Sequence, residues 1–150
     1  LARRGELMTH HKDKALLSLM KIDPLIEANF SSIHPDATLR DLVKVISEST
    51  RNIFPVVDEN NKFYGIIIMD QVRDIMFRPE LYDETFVRNL MFMPTNTIQI
   101  NESMEEVAHK FQHSGKYNLV VLNNDKYVGF VSRANVFSKY RELLKDFSED

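Results

Sequence analysis

The sequence has no cysteine and no tryptophan among its 150 residues. The absence of cysteine excludes disulfide bonds, thiolate zinc sites and a cysteine nucleophile, and it is consistent with a cytosolic setting. No apolar run approaches the roughly 20 residues that a membrane-spanning helix needs, and residues 1–20 lack the apolar core of a signal peptide. With 43% hydrophobic and 27% charged residues, the composition predicts a soluble globular chain.

Excess positive charge is confined to the start of the chain. The net charge is −3, but residues 1–21 carry +3 and the remainder carries −6. An acidic body argues against a nucleic-acid partner, because neutralising phosphates requires a basic surface. Short lysine- and arginine-rich segments collect on the cytoplasmic side of membrane spans, and a solvated helix end is the alternative explanation of this leader.

The chain contains an internal repeat. Residues 32–58 align with residues 97–123 at an offset of 65, and residues 62–72 align with residues 126–136 at an offset of 64. Such a repeat predicts one supersecondary unit that is present twice.

Each copy predicts a capped helix followed by a β-hairpin. Thr38 and Ser103 are placed as helix N-caps with Asp41 and Glu106 three residues later, and the second copy matches a capping box more cleanly. Two β-rich runs joined by an Asn/Asp turn then predict a hairpin in each copy. The residues at the i, i+3, i+4, i+7 spacing of an apolar helix face are Leu39, Leu42, Val43 and Ile46, and Met104, Val107, Ala108 and Phe111.

Gly65 and Gly129 occupy equivalent positions inside the second strand of each predicted hairpin. A glycine at such a position indicates a β-bulge or the close approach of another backbone segment. Each strand leads directly into a predicted helix, and Gly115 is predicted to be the C-cap of the helix before it.

One such unit cannot cover its own sheet, so the two copies are expected to pack sheet against sheet as a pseudo-twofold pair. The predicted fold class is α/β (α+β), with two β-α-β-β-α repeats. The expected parts are a leader with helical character (1–18), a first repeat (19–77), a connector (78–89) and a second repeat with a C-terminal helix (90–150).

The two copies resemble a tandem pair of CBS domains. The resemblance is carried by IHPDATLRDLV, FPVVDENNKFYGIII and YNLVVLNNDKYVGFVS, and it covers roughly residues 19–145. The leader ARRGELMTHHKDKALLSLM further resembles the segment that joins the last membrane helix of prokaryotic CLC-type chloride channels to their cytoplasmic CBS pair.

This resemblance implies a non-catalytic regulatory and dimerisation module. It implies a homodimer on the cytoplasmic face of the membrane, covalently attached to a chloride transport domain. No cofactor is required, and the implied regulatory ligand is ATP, ADP or AMP. The resemblance leaves open an alternative, a CBS pair that senses adenine nucleotides for a soluble enzyme or a metal-ion transporter.

Many CBS pairs bind adenine nucleotides in clefts between their two halves. In the family, a Ser or Thr three residues after the strand glycine and an Asp six residues after it hold the ribose. This sequence has Ser132 and Asn135 in one copy and Ile68 and Gln71 in the other, so both copies lack the Asp. The resemblance implies a first cleft formed by Ser31, Arg51, Asn52, Ser132, Arg133 and Asn135, and a more degenerate second cleft formed by Gln71, Asn96, Lys116 and Tyr117.

The missing carboxylates predict weak or absent nucleotide binding in both clefts, because an amide lacks the charge-assisted hydrogen bonds of a carboxylate. The first cleft keeps more usable chemistry, including an arginine for phosphate. Capping of the following helix is the alternative role of Ser132 and Asn135.

No other cluster predicts a catalytic or metal site. His109 and His113 have the i, i+4 spacing of zinc ligands on a helix. They fall opposite the apolar face of that helix, however, so they are predicted to be solvated.

Overall fold

The computed structural model describes residues 13–148. Residues 13–19 are helical (α1) and are followed by a 3₁₀ turn, Asp23–Leu25. The predicted leader helix is therefore observed from residue 13, whereas Lys12 and the residues before it lie outside the described part of the chain. No helix within residues 13–148 is long and apolar enough to cross a membrane.

Each half contains a helix, two antiparallel strands and a second helix. The first half consists of α2 (Leu39–Glu48), β1 (Ile53–Val57), β2 (Phe63–Ile68) and α3 (Met69–Met76). The connector contains a 3₁₀ turn (Pro79–Leu81) and a short helix, α4 (Val87–Leu90). The second half consists of β3 (Ile98–Gln99), α5 (Met104–Ser114), β4 (Asn118–Asn123), β5 (Lys126–Ser132) and α6 (Arg133–Ser148). This order confirms the predicted mixed fold of two like halves.

The helix termini follow the predicted capping residues, with one difference. Thr38 accepts a hydrogen bond from the backbone N–H of Asp41, and the Asp41 carboxylate accepts one from the N–H of Thr38 at 3.0 Å, which completes a capping box. Ser103 accepts from the N–H of Glu106 at 3.2 Å, but the described residues show no reciprocal bond. The prediction that the second box is the cleaner one is therefore wrong. The Thr38 hydroxyl additionally donates to the Asp41 carboxylate at 3.1 Å, which adds a third bond to the first box.

The two halves exchange short segments across their sheets. Glu27 pairs with Phe130 of β5 through two backbone hydrogen bonds of 2.8 and 2.9 Å. In the same way, Phe92 pairs with Ile66 of β2 through bonds of 2.9 and 3.1 Å. The two pairings occupy equivalent positions of the repeat, because Glu27 and Phe92 are 65 residues apart.

At the other edge of each sheet lies a short parallel pairing. Ile33 pairs with Val56 of β1, and Ile98 of β3 pairs with Val121 of β4. These pairings are the predicted short first strands of the repeats, reduced in the first half to a single bridge.

Two glycines make room for the exchanged segments. A Cβ atom at Gly65 would lie 2.6 Å from the carbonyl oxygen of Phe92, and one at Gly129 would lie 2.6 Å from the carbonyl oxygen of Glu27. The register of each hairpin also shifts next to its glycine. Both predicted roles, bulge and close backbone approach, are confirmed. Gly115 likewise ends α5 in the left-handed conformation predicted for a C-cap, with φ of 67°.

The halves pack sheet against sheet around a shared apolar cluster. Its buried members are Phe63, Ile66, Val120, Leu122 and Phe130, which come from both hairpins. Apolar burial of this kind contributes about 25 cal/mol per Å² of buried surface. The common interior therefore stabilises the pair as one unit.

The segment before the first half packs against the second half. Met20 and Ile22 lie in the core of the second half, although the predicted boundaries assign them to the first repeat. The Tyr140 hydroxyl of α6 donates to the Asp13 carboxylate of α1. Burial and this acceptor raise the pKa of Tyr140 to about 12. The Tyr140 hydroxyl stays protonated at neutral pH, so its hydrogen bond connects helix α1 to the second half.

Candidate functional site

The repeat creates two equivalent regions between the halves. We call the region around Arg51 and Asn135 the first cleft, and the region around Lys116 the second cleft. The offset of 65 makes Arg51 equivalent to Lys116 and Glu27 equivalent to Phe92. These two substitutions give the clefts different chemistry.

A carboxylate of the chain itself occupies the first cleft. Asn135 Nδ2 donates to Glu27 Oε1 at 2.9 Å, and Arg51 Nη1 lies 3.5 Å from Glu27 Oε2. Arg51 Nη2 also donates to Asn29 Oδ1 at 2.8 Å, and its guanidinium carbon lies 4.2 Å from the centroid of the Phe30 ring. Glu27 therefore binds two of the six side chains that the resemblance assigned to a ligand.

The remaining residues proposed for the first cleft have mixed positions. Ser132 accepts a hydrogen bond from the backbone N–H of Asn135 at 3.1 Å, so it caps α6, which is the alternative role considered for it. Ser31 is half-buried and Asn52 is exposed. The Arg133 guanidinium lies 5.8 Å from the Phe137 ring, on the side of α6 that faces Tyr117.

Tyr127 is a residue of the first cleft that sequence reasoning missed. Its hydroxyl is buried and has no hydrogen-bond partner within residues 13–148. Burial raises the pKa of Tyr127 to about 12, and the nearby positive charge of Arg51 partly opposes that rise. The repeat placed a phenylalanine, Phe63, at the equivalent position. The hydroxyl that Tyr127 has and Phe63 lacks was therefore the sequence signal that could have identified Tyr127.

The second cleft contains an open cavity of about 250 Å³. Its walls are mostly apolar, with a few polar groups on one side, which is typical of small-molecule sites. The apolar lining is Ile53, Ile66, Ile68, Phe92, Pro94, Leu119, Val120 and Phe130, and the polar lining is Thr95, Asn96, Lys116, Tyr117 and Asn118. The structure thus brings together three of the four residues proposed for this cleft. The fourth, Gln71, is exposed on α3 and is not part of the lining.

Lys116 differs from its counterpart Arg51 in having no acidic partner in the described part of the chain. Among the described residues, no carboxylate lies within 4 Å of the Lys116 ammonium group. Where the first cleft has Glu27, the second cleft has Phe92, which lines the cavity instead of neutralising the cation. The sequence favoured the first cleft on its polar residues, whereas the structure pairs the cation of that cleft with Glu27 and places an open cavity beside the cation of the second cleft.

The histidine pair has no metal-binding neighbourhood in the described part of the chain. His109 and His113 are both exposed, as predicted, and their ring centroids lie 3.9 Å apart. Residues 13–148 contain no group of three or more side chains able to hold a metal ion.

The clefts, the repeat and the exchanged segments match a known family. The family model described as CBS domain matches residues 18–78 and 72–142. The chain belongs to the CBS domain family. CBS pairs are typically regulatory, non-catalytic modules.

One curated relative and two solved structures illustrate the range of CBS proteins similar to this pair. Homoserine O-acetyltransferase of Methanococcus vannielii is 25% identical over 124 residues, which cover 80% of this chain and 25% of that protein. This CBS pair thus spans about a quarter of the length of that relative. CbpB in complex with c-di-AMP has a TM-score of 0.74 at 14% identity, covering 93% of this chain and 96% of that chain. The CBS domain of the bacterial CNNM/CorC family Mg²⁺ transporter in complex with ATP has a TM-score of 0.70 at 17% identity, covering 92% and 97%.

The Glu27 contacts predict a measurable loss of stability when the carboxylate is removed. Glu27→Ala leaves Arg51 and Asn135, both half-buried, without their shared acceptor, so we expect the free energy of unfolding to fall by about 2 kcal/mol. Glu27→Gln keeps an acceptor oxygen and should lose less. Urea unfolding of the two variants beside the wild type measures both values. Equal stability of Glu27→Ala and wild type would show that Glu27 does not hold the first cleft together.

Proposed function

We propose that this CBS pair is a non-catalytic regulatory module that binds an adenine nucleotide in the second cleft. The observation that carries the proposal is the open, apolar cavity beside Lys116, a cation that no described carboxylate neutralises. In the first cleft the equivalent cation already has Glu27 as its anionic partner. An anionic ligand therefore gains more in the second cleft.

The lining of the cavity suits a nucleotide group by group. Phe92 and Phe130 present aromatic rings to a flat base, and such contacts are worth about 1–3 kcal/mol per base in proteins that stack bases. The amides of Asn96 and Asn118 can both donate and accept hydrogen bonds at the base edge or the ribose. Lys116 at the mouth supplies a positive charge for a phosphate. The solved CBS structures with ATP and with c-di-AMP support an adenine-containing ligand.

Calorimetric titration with AMP, ADP and ATP tests the ligand and the cleft together. We expect binding of one nucleotide per chain, because the second cleft combines an open cavity with a cation that no described carboxylate neutralises, whereas Glu27 already pairs with the cation of the first cleft. Guanosine nucleotides serve as the control for the base. No heat with any of the three adenine nucleotides, or two equal sites per chain, would contradict the proposal.

We further propose that the module is attached to a membrane transport protein and transmits nucleotide binding to it. Support comes from the basic leader, which resembles that of CLC-type chloride channels, and from the likeness to the CBS domain of an Mg²⁺ transporter. In that setting it would lie on the cytoplasmic face of the membrane. The coupling would shift the attached protein by about 1–3 kcal/mol, as is usual for allosteric ligands. Reading the frame upstream of Leu1 tests this, since an enzyme domain there would favour a soluble enzyme like the acetyltransferase relative.

We also propose that the module forms a homodimer through exposed helix ends. Phe77, which follows α3, is 75% exposed, and Phe86, which precedes α4, is also exposed. Large contiguous apolar patches on a surface mark contact sites between proteins, and we propose that these two side chains belong to such a patch. Sedimentation equilibrium gives the mass directly, and a monomer at all concentrations would contradict this part of the proposal.

A further inference from the structure

A shallow depression adjoins the mouth of the cavity on the outer side of the second half. It is lined by Gln112, Tyr117, Arg133, Ala134, Phe137 and Arg141. Tyr117 lines both the cavity and the depression, and its side chain is 75% exposed. A ligand that extends out of the cavity past Tyr117 would therefore enter the depression.

The depression carries two guanidinium groups for which residues 13–148 supply no acidic partner. Within residues 13–148, no carboxylate lies within 4 Å of Arg133 or Arg141, and the one polar side-chain contact shown for Arg141 is a 3.3 Å hydrogen bond to Ser138 Oγ. The backbone N–H of Arg133 donates to the carbonyl oxygen of Tyr117 at 2.8 Å, which holds the start of α6 beside the cavity mouth.

This concentration of positive charge is unusual on an acidic protein. The net charge of the chain is −3, yet three cations without a described acidic partner, Lys116, Arg133 and Arg141, line the cavity and the depression next to it. Such a local field attracts anions of several charges more strongly than anions of one or two. Arginine in particular binds phosphate through two parallel N–H···O bonds.

We propose that Arg133 and Arg141 form an anion subsite for the terminal phosphates of a nucleoside di- or triphosphate whose base lies in the second-cleft cavity. The proposal rests on the proposed function, because the base must enter that cavity. Lys116 then takes the first phosphate and the two arginines take the rest. The module thereby distinguishes nucleotides by the length of the phosphate chain.

Titration of adenosine, AMP and ATP in buffer without divalent cations tests the subsite. We expect ATP to bind wild-type protein at least about tenfold more tightly than AMP, because each additional phosphate can accept further charge-assisted hydrogen bonds from the arginines. In the double variant Arg133→Gln/Arg141→Gln this preference should fall to about twofold or less, while AMP affinity stays within about twofold of wild type. Lys139→Gln, which removes a positive charge elsewhere on α6, should keep the tenfold preference.

The outcomes separate the subsite from the proposed function. Equal affinity of wild type for AMP and ATP, or an ATP preference that survives in the double variant, overturns the subsite and leaves the nucleotide cavity standing. If wild-type protein binds none of the three ligands, both the subsite and the proposed nucleotide-binding function are overturned. If the double variant does not fold, the exposed single change Arg141→Gln is used, and it should halve the preference or reduce it further. An unchanged preference in that variant also overturns the subsite.

Discussion

Replacing Ile68 by tryptophan should weaken AMP and ATP binding by at least about 100-fold, which corresponds to about 2.7 kcal/mol. Ile68 ends β2, lines the cavity and is only half-buried, so an indole there can extend into the open space that a base would occupy. Ile68 also packs against the apolar cluster shared by the halves, so the stability of the variant is measured beside its affinity.

Calorimetry measures the loss of binding, and urea unfolding shows whether the fold is kept. Leu19→Trp is the matched control, because it places the same indole at a 56% exposed position on α1, away from the cavity. We expect the control to bind as wild type does. Retention of full affinity in a folded Ile68→Trp protein would show that the nucleotide does not use this cavity.

A less invasive change gives the same test if the tryptophan variant is unstable. Lys116→Glu reverses the charge at the cavity mouth on an exposed side chain. It should weaken the binding of AMP and ATP and leave adenosine binding nearly unchanged, because adenosine carries no phosphate. An equal effect on adenosine and AMP would argue against Lys116 as the phosphate contact.

Alanine at Gly65 should lower the free energy of unfolding by about 3 kcal/mol or more, since steric overlap and backbone strain add. The new methyl group would lie 2.6 Å from the carbonyl oxygen of Phe92, and the residue has φ of 150°, where L side chains are strained. The same methyl group would press on the segment exchanged from the second half. The Cβ added by Gly129→Ala would lie 2.6 Å from the carbonyl oxygen of Glu27. This variant should therefore lose a similar amount of stability to steric overlap, without the contribution of backbone strain.

Gly115 supplies the control for these two glycines. Its φ is 67°, but an added Cβ would meet nothing within 4 Å, so Gly115→Ala should cost only about 1 kcal/mol from the left-handed backbone. Thermal or urea unfolding of the three variants measures the three losses of stability and thus their order. Equal effects at all three positions would show that exchange of segments past Gly65 and Gly129 is not what stabilises the pair.

The two clefts illustrate how a repeat can lose its symmetry in side-chain chemistry while keeping it in fold. Both exchanged segments pair in the same way with the opposite sheet, yet one places Glu27 between the halves and the other places Phe92 there. The two clefts are also adjacent. The ring of Phe130 lines the cavity and lies 4.5 Å from the ring of Phe30, on which Arg51 packs. The contact between the rings of Phe130 and Phe30 therefore connects the cavity wall to Arg51 of the first cleft.

The sequence by itself determined the repeat, the capped helices and the role of the strand glycines. These features depend on local chemistry, such as the Thr38 cap and the periodic spacing of apolar residues, which operates within a few residues along the chain. The alignment of the copies then predicted two like halves, because neither could bury its apolar face alone.

Only the tertiary structure decided which cleft is open. Glu27 is 24 residues from Arg51 and 108 from Asn135 along the chain, so no local pattern links it to either side chain. The contact arises because a segment outside the aligned repeat crosses to the opposite sheet. Whether a cation is free for a ligand depends on such long-range neighbours, since a carboxylate a few ångströms away neutralises it wherever that carboxylate lies in the sequence.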